Sequence, residues 1–124
     1  MTTPSDLADV FAALRPLLTP YAKGLTVVRD ATGAFSLDTK HVMPNKKPLF
    51  FGAVEVKKRY VSFHLMPVYV FPDLLASVSP ALRERMQGKS CFNFRHVDPE
   101  LFQELAALVA AAHARYVQAG YAAA

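Results

Sequence analysis

Two apolar, β-prone segments separated by three cations constrain this chain more than any other feature of it. Phe50-Phe51-Gly52-Ala53-Val54-Glu55-Val56 and Tyr60-Val61-Ser62-Phe63-His64-Leu65-Met66 are rich in aromatic and β-branched residues, and they flank Lys57-Lys58-Arg59. The pattern predicts a hairpin with a charged tip. A two-residue turn at Lys58-Arg59 sets Lys57 opposite Tyr60 and pairs Val56 with Val61, Glu55 with Ser62, Val54 with Phe63, Ala53 with His64, Gly52 with Leu65 and Phe51 with Met66. Strand side chains alternate between faces, so Val54, Val56, Val61, Phe63 and Leu65 share one entirely apolar face. The other face collects Glu55, Lys57, Tyr60, Ser62 and His64, with Phe51, Ala53 and Met66 beside them. The first face is core, and the second is wet or lines a pocket. Lys58-Arg59 lacks the Asn-Gly chemistry that tight hairpins prefer. The pairing is nevertheless favoured, because a slip of one residue would turn every side chain to the opposite face.

A chain of 124 residues is most simply one domain, 1–124, large enough to bury a single core. Its 52% hydrophobic and 19% charged residues fall in the range of globular proteins. No apolar run reaches the roughly 20 residues of a membrane span, and the first residues lack a basic stretch followed by an apolar one. A cytoplasmic protein without a membrane partner is therefore expected. Cys91 is the only cysteine, which excludes an internal disulfide and a thiolate metal cluster within one chain. The net charge of +4 comes from scattered groups: Lys46-Lys47, Lys57-Lys58-Arg59, Arg83 with Arg85, and Lys89 with Arg95. Nucleic-acid binding needs such groups to converge on one surface with exposed aromatics. Solubility and charged hairpin tips account for them more simply, so no nucleic-acid partner is expected.

Along the chain, Met1 to Pro4 reads as a frayed end, and Leu7, Val10, Phe11, Leu14, Leu17, Leu18 and Tyr21 mark one stripe of a helix. Ser5 is its candidate N-cap, Asp6 and Asp9 complement its dipole, Pro16 kinks it or starts a new turn, and Gly24 stops it. Strands are predicted at Leu25–Arg29 and Phe35–Thr39 around a turn at Gly33, followed by a loop or sheet-edge segment from His41 to Pro48. Beyond the central hairpin, Pro67–Pro72 leaves the sheet and Asp73–Val78 makes one or two helical turns. Ser79 caps a short helix that starts at Pro80 and is stopped by Gly88. Lys89–Arg95 alternates as a last strand, with Phe92 and Phe94 on one face and Cys91, Asn93 and Arg95 on the other. Asp98 caps a final helix whose buried stripe is Leu101, Phe102, Leu105, Leu108, Val109, Ala112 and Tyr116, ended by Gly120. This order predicts an α+β two-layer sandwich: a mostly antiparallel sheet of about five strands, with the N- and C-terminal helices on one face.

The blocks Met43-Pro44, Phe50-Phe51-Gly52-Ala53-Val54, Tyr60 to Pro67, and above all Gly88-Lys89-Ser90-Cys91-Phe92-Asn93-Phe94 followed by Asp98 resemble the YdhG-like family, domain of unknown function 1801. The resemblance runs from about Met43 to Tyr116 and implies a compact α+β domain. In typical members Met-Pro is followed by a small residue and an aromatic, whereas Asn45-Lys46-Lys47 follows here. Some members are described as frataxin-like iron chaperones, a role that needs a surface dense in carboxylates. This chain has ten acidic residues against fourteen basic ones, and its close acidic pairs, Asp6 with Asp9 and Asp98 with Glu100, sit at helix N-termini. The composition thus weighs against iron delivery.

No motif supplies a catalytic constellation. Gly88-Lys89-Ser90 resembles the end of a phosphate-binding loop, but the upstream glycine position holds Arg83 and the segment runs from helix to strand. His64 is the residue best suited to proton chemistry, although a histidine on a sheet face is more often a hydrogen-bonded, partly buried residue. Ser62, two residues away on one strand, lies about 7 Å from it along the backbone, too far for activation as a nucleophile. His41, His96 and His113 show no metal spacing, and Cys91 reads as a small buried residue before it reads as a reactive thiol. The functional expectation is a binding domain without a cofactor, whose open sheet face (Glu55, Tyr60, Ser62, His64, Asn93 and Arg95) receives a small polar or anionic ligand or a partner segment. The alternative is a homodimeric interaction module without a pocket.

Overall fold

The structure, a computed structural model, describes residues 4–123, with the backbone alone for residues 4–6. Met1 to Thr3 lie outside the described residues, and the dipole role of Asp6 lies outside the described side chains; Pro4, expected in the frayed end, already belongs to the first helix, so Ser5 stands inside it and is not its N-cap. The first helix, α1, spans Pro4–Leu14 and passes into short 3-10 turns at Arg15–Leu17 and Thr19–Gly24. Pro16 is the cause, since it removes a backbone donor just where the α-helix would continue. The strands are β1 (Thr26–Ala31), β2 (Ala34–Val42), β3 (Pro48–Val56) and β4 (Val61–Leu65). One-turn helices follow at α2 (Pro67–Val70) and α3 (Pro80–Arg83), with a 3-10 turn at Pro72–Leu75 between them. The chain ends in β5 (Met86–Gln87), β6 (Cys91–Phe94) and the long helix α4 (Pro99–Gln118).

All six strands join one antiparallel sheet in the order β1-β2-β3-β4-β6-β5. The fold is α+β, with helices packed against the sheet. Its buried residues form one cluster: Leu7, Val10 and Leu14 of α1 and Leu105, Val109, Ala112 and Tyr116 of α4 meet Leu37, Val54, Val61, Phe63, Leu65, Phe92 and Phe94 of the sheet. Both long helices thus contribute to the core that lies on the apolar face of the central hairpin.

The hairpin has the expected register. Gly52 pairs with Leu65, Ala53 with His64, Val54 with Phe63, Glu55 with Ser62 and Val56 with Val61, and the Lys57 amide donates to the Tyr60 carbonyl at 2.8 Å. Neither Lys58 nor Arg59 has a positive φ, so the turn closes without the left-handed residues that Asn-Gly would supply.

The placement of Phe51 differs from the expectation. Leu37 pairs with Gly52 but Asp38 pairs with Phe50, so Phe51 is the extra residue of a β-bulge. The bulge breaks the alternation and turns Phe51 into the core, where it is fully buried against Tyr21, His113 and Tyr116 at ring distances of 5.9–6.1 Å. The same shift leaves Phe50 on the opposite face, paired with Asp38 and edge-on to His64 with ring centroids 4.9 Å apart.

Two further differences and one refinement have local causes. The loop or sheet-edge segment expected from His41 to Pro48 is sheet only at its ends: β2 continues to Val42 and β3 starts at Pro48, joined by a tight connection in which Lys46 adopts φ 67°. Thr39 holds this extension from inside, its buried hydroxyl donating to the Leu49 carbonyl at 2.8 Å. The helix after Ser79 ends at Arg83, and Gly88 (φ 78°) serves the β5–β6 connection instead of stopping a helix. Tyr121, expected in a tail, packs its ring on His41 at 4.7 Å and on Tyr116 at 5.6 Å.

The caps stand where they were read. The Ser79 hydroxyl accepts from the Leu82 amide and donates to Glu104 of α4 at 2.6 Å, and the Asp98 carboxylate accepts from the Leu101 amide at 3.2 Å. Gly120 (φ 85°) follows α4, and the Tyr121 amide donates back to the Tyr116 carbonyl.

The bulge separates two neighbouring phenylalanines by environment, and their truncations should separate too. Phe51→Ala should cost about 3–5 kcal/mol in urea unfolding, and Phe50→Ala less than half of that. Equal losses would contradict the bulge. Gly52→Ala should also destabilise, by about 1–3 kcal/mol, because its Cβ would stand 3.0 Å from the His64 carbonyl oxygen and 3.2 Å from Leu18.

Candidate functional site

The face of the sheet turned away from the core is built by strand parity. Ser36 and Asp38 of β2, Phe50, Ala53 and Glu55 of β3, Ser62 and His64 of β4, and Cys91 and Asn93 of β6 share it. Glu55, Ser62 and Asn93 follow one another across three strands, and His64 lies between Ala53 and Cys91. Every one of these residues is half-buried.

The six residues singled out from the sequence do not form one site. Glu55 is held by Lys57, whose Nζ donates to its carboxylate at 2.9 Å. His64 is engaged by Ser90, with Nε2 and Oγ sharing a hydrogen bond of 2.7 Å. Ser90 immediately precedes β6, and the pairing of His64 with Cys91 brings it alongside. The sequence reading missed this partner because it depends on a contact 26 residues away. Only once β4 and β6 are known to pair does Ser90 become a neighbour of His64. A serine bonded to a histidine has the form of an activated nucleophile. Here, however, Ser90 is only 8% exposed, which leaves its hydroxyl little access to a substrate. The pair is satisfied within the fold.

Cys91 sits in the same neighbourhood, and its thiol is pushed up mainly by burial, against smaller opposing effects of the Ser62 hydroxyl and the Lys57 charge. It is thus held as a thiol, the less reactive form. Burial also raises the Asp38 carboxyl. Among the described residues, no group of three or more His, Cys, Asp or Glu side chains is placed to hold a metal ion, and no helix is long and apolar enough to cross a membrane.

The other three candidates, Tyr60, Asn93 and Arg95, do come together. They line a cleft of about 370 Å³ at the β6–β5 edge of this face, joined by Glu84, Arg85, Met86 and Gln87. Tyr60 stands just before β4 and Arg95 just after β6, so the pairing of Val61 with Phe94 sets them side by side. Arg85 arrives from the β5 side, where its carbonyl accepts from the Asn93 amide at 2.8 Å. No periodic pattern signals this, because β5 is two residues long and exists only as a partner of β6. The cleft offers two guanidinium groups, a phenol, and the side-chain amides of Asn93 and Gln87, against the single carboxylate of Glu84. Among the described residues, the ion pairs engage Arg15, Lys57 and Arg115, and neither Arg85 nor Arg95 takes part in one. No family model, no curated protein and no solved structure matches the chain.

Burial of His64 has a pH consequence. A histidine whose folded value is lowered contributes full stability above its ordinary 6.5, and that contribution is lost as the pH falls below it, because the unfolded chain takes up the proton first. The melting temperature should therefore fall between about pH 7.5 and 5. His64→Gln should flatten part of that fall, with His113, lowered by burial in the same way, supplying the remainder. An unchanged slope in His64→Gln would contradict this assignment.

Proposed function

We propose that this chain is a binding domain for a small oxyanion, a carboxylate or a phosphate, taken in the cleft between Tyr60, Arg85, Asn93 and Arg95. The observation that carries the reading is the pair of arginines facing one concave site without an internal carboxylate partner. Guanidinium groups bind carboxylates and phosphates through paired N–H donors, and these are stronger than neutral hydrogen bonds. The phenol of Tyr60 and the amide of Asn93 add donors that fix orientation, and Glu84, in the same lining, disfavours a second negative charge on its side. Glu55, Ser62 and His64, expected in the same site, stand outside the cleft lining and are not part of this proposal. The resemblance to the YdhG-like family belongs to the proposal as well, supported by the block Gly88 to Phe94, whose Asn93 lines the cleft.

The test is a low-salt thermal-shift titration with inorganic phosphate and with succinate, since a ligand that binds only the folded state raises the melting temperature by mass action. A saturable rise is expected with at least one of them. Arg95→Ala should weaken it about tenfold or more, as loss of a charged hydrogen bond implies, and His64→Ala should leave the affinity unchanged. No saturable rise, or a rise that survives Arg85→Ala combined with Arg95→Ala, would overturn the reading. A dimeric mass in solution alongside that failure would favour the homodimeric module instead.

A further inference from the structure

Met86 borders a second hollow, of about 460 Å³, distinct from the oxyanion cleft. Its chemistry is different. Val68 and Tyr69 of α2, Leu75 of the following 3-10 turn and Met86 of β5 give it an apolar lining, and two cations, Arg83 and Lys89, stand in that lining without an acidic residue. Val68 is 1% exposed and forms part of the hydrophobic core, whereas Tyr69 is 55% exposed. Arg83 is fixed in place because Nη2 donates to the Leu75 carbonyl at 2.7 Å. Lys89 lies over the Tyr69 ring, with Nζ 5.9 Å from the centroid.

A concavity of this size, mostly apolar with a few convergent polar groups, has the form of a small-molecule site. Charge complementarity selects the head group. Two cations without an acid favour one anionic group, while Val68, Leu75, Met86 and the face of Tyr69 favour a hydrocarbon body. We propose that the hollow binds a free medium-chain carboxylic acid, its carboxylate between Arg83 and Lys89 and its chain against Leu75 and Met86. A carboxylate there replaces the weak attraction of the ammonium to an aromatic face with a charge-assisted hydrogen bond. The inference is independent of the oxyanion cleft, which has a polar lining and opens on the other side of Met86.

Sodium octanoate is the probe, titrated into the full chain and followed by amide chemical shifts. Saturable shifts are expected at Tyr69, Leu75, Gly88 and Lys89. Acetate, which has the charge without the chain, should produce none of them, and 1-octanol, which has the chain without the charge, should bind about tenfold or more weakly. Lys89→Met keeps the apolar stem and removes the charge, and it too should weaken octanoate about tenfold. Tyr69→Ser, at a position 55% exposed, should weaken it as well, whereas Arg95→Ala should not. The proposal would be overturned by no saturable shift in these residues, by octanol binding as tightly as octanoate, or by full affinity in Lys89→Met. Shifts confined to Arg85, Asn93 and Arg95 would place the acid in the oxyanion cleft and would overturn it too.

Discussion

The two layers of this protein are joined through the direction in which Phe51 points. β3 lies in the middle of the sheet, between β2 and β4, and the extra residue opposite Leu37 and Asp38 rotates its backbone there. The rotation puts the Phe51 ring among Tyr21, His113 and Tyr116, so the segment after α1 and the last turns of α4 dock on one aromatic side chain. The same stretch provides the Phe50 carbonyl that accepts from the Tyr116 hydroxyl at 3.0 Å, which satisfies a phenol that burial holds in its neutral form. The Phe50 ring is left on the other face against His64. One inserted residue therefore sets the helix packing on one side and the wall beside His64 on the other.

Much of this arrangement could be read from residue order, and the exceptions share a cause. The hairpin register was legible because Val54, Val56, Val61, Phe63 and Leu65 leave no other pairing with one apolar face. The caps at Ser79 and Asp98 and the stop at Gly120 were legible because capping is a local matter of one side chain or one φ. Phe51 was misplaced because a bulge suspends the alternation on which the reading depended. Gly88 was misread because a helix stop and a hairpin glycine ask the same backbone freedom of the same residue. Only the pairing of Met86 with Phe92 tells them apart. The site followed the same rule: parity gave the face of Glu55, Ser62, His64 and Asn93, but Ser90 and Arg85 entered through contacts between distant segments.

The β6–β5 edge is where the chemistry collects. β5 shields the β6 edge with only two residues, and an edge so short offers little template for pairing with another chain. It also carries Met86 between two concavities of opposite character. Arg83 and Arg85, two positions apart, take opposite sides of it: Arg83 lines the apolar hollow with Lys89, and Arg85 the polar cleft with Arg95. Of the basic groups that looked scattered along the sequence, Arg83, Arg85, Lys89 and Arg95 are therefore divided between these two concavities. The remaining cations at the hairpin tip, Lys58 and Arg59, are simply exposed.

The most direct test of this account is a set of side-chain and cross-strand nuclear Overhauser contacts in solution, because both faces of the sheet depend on the register of β3. The account predicts contacts from the Phe51 ring to Tyr116 and His113, contacts from the Phe50 ring to His64, and a backbone ladder linking Val54 to Phe63 and Phe63 to Phe92. A Phe51 ring in contact with His64, or a ladder displaced by one residue, would turn the core and the open face around and would contradict it.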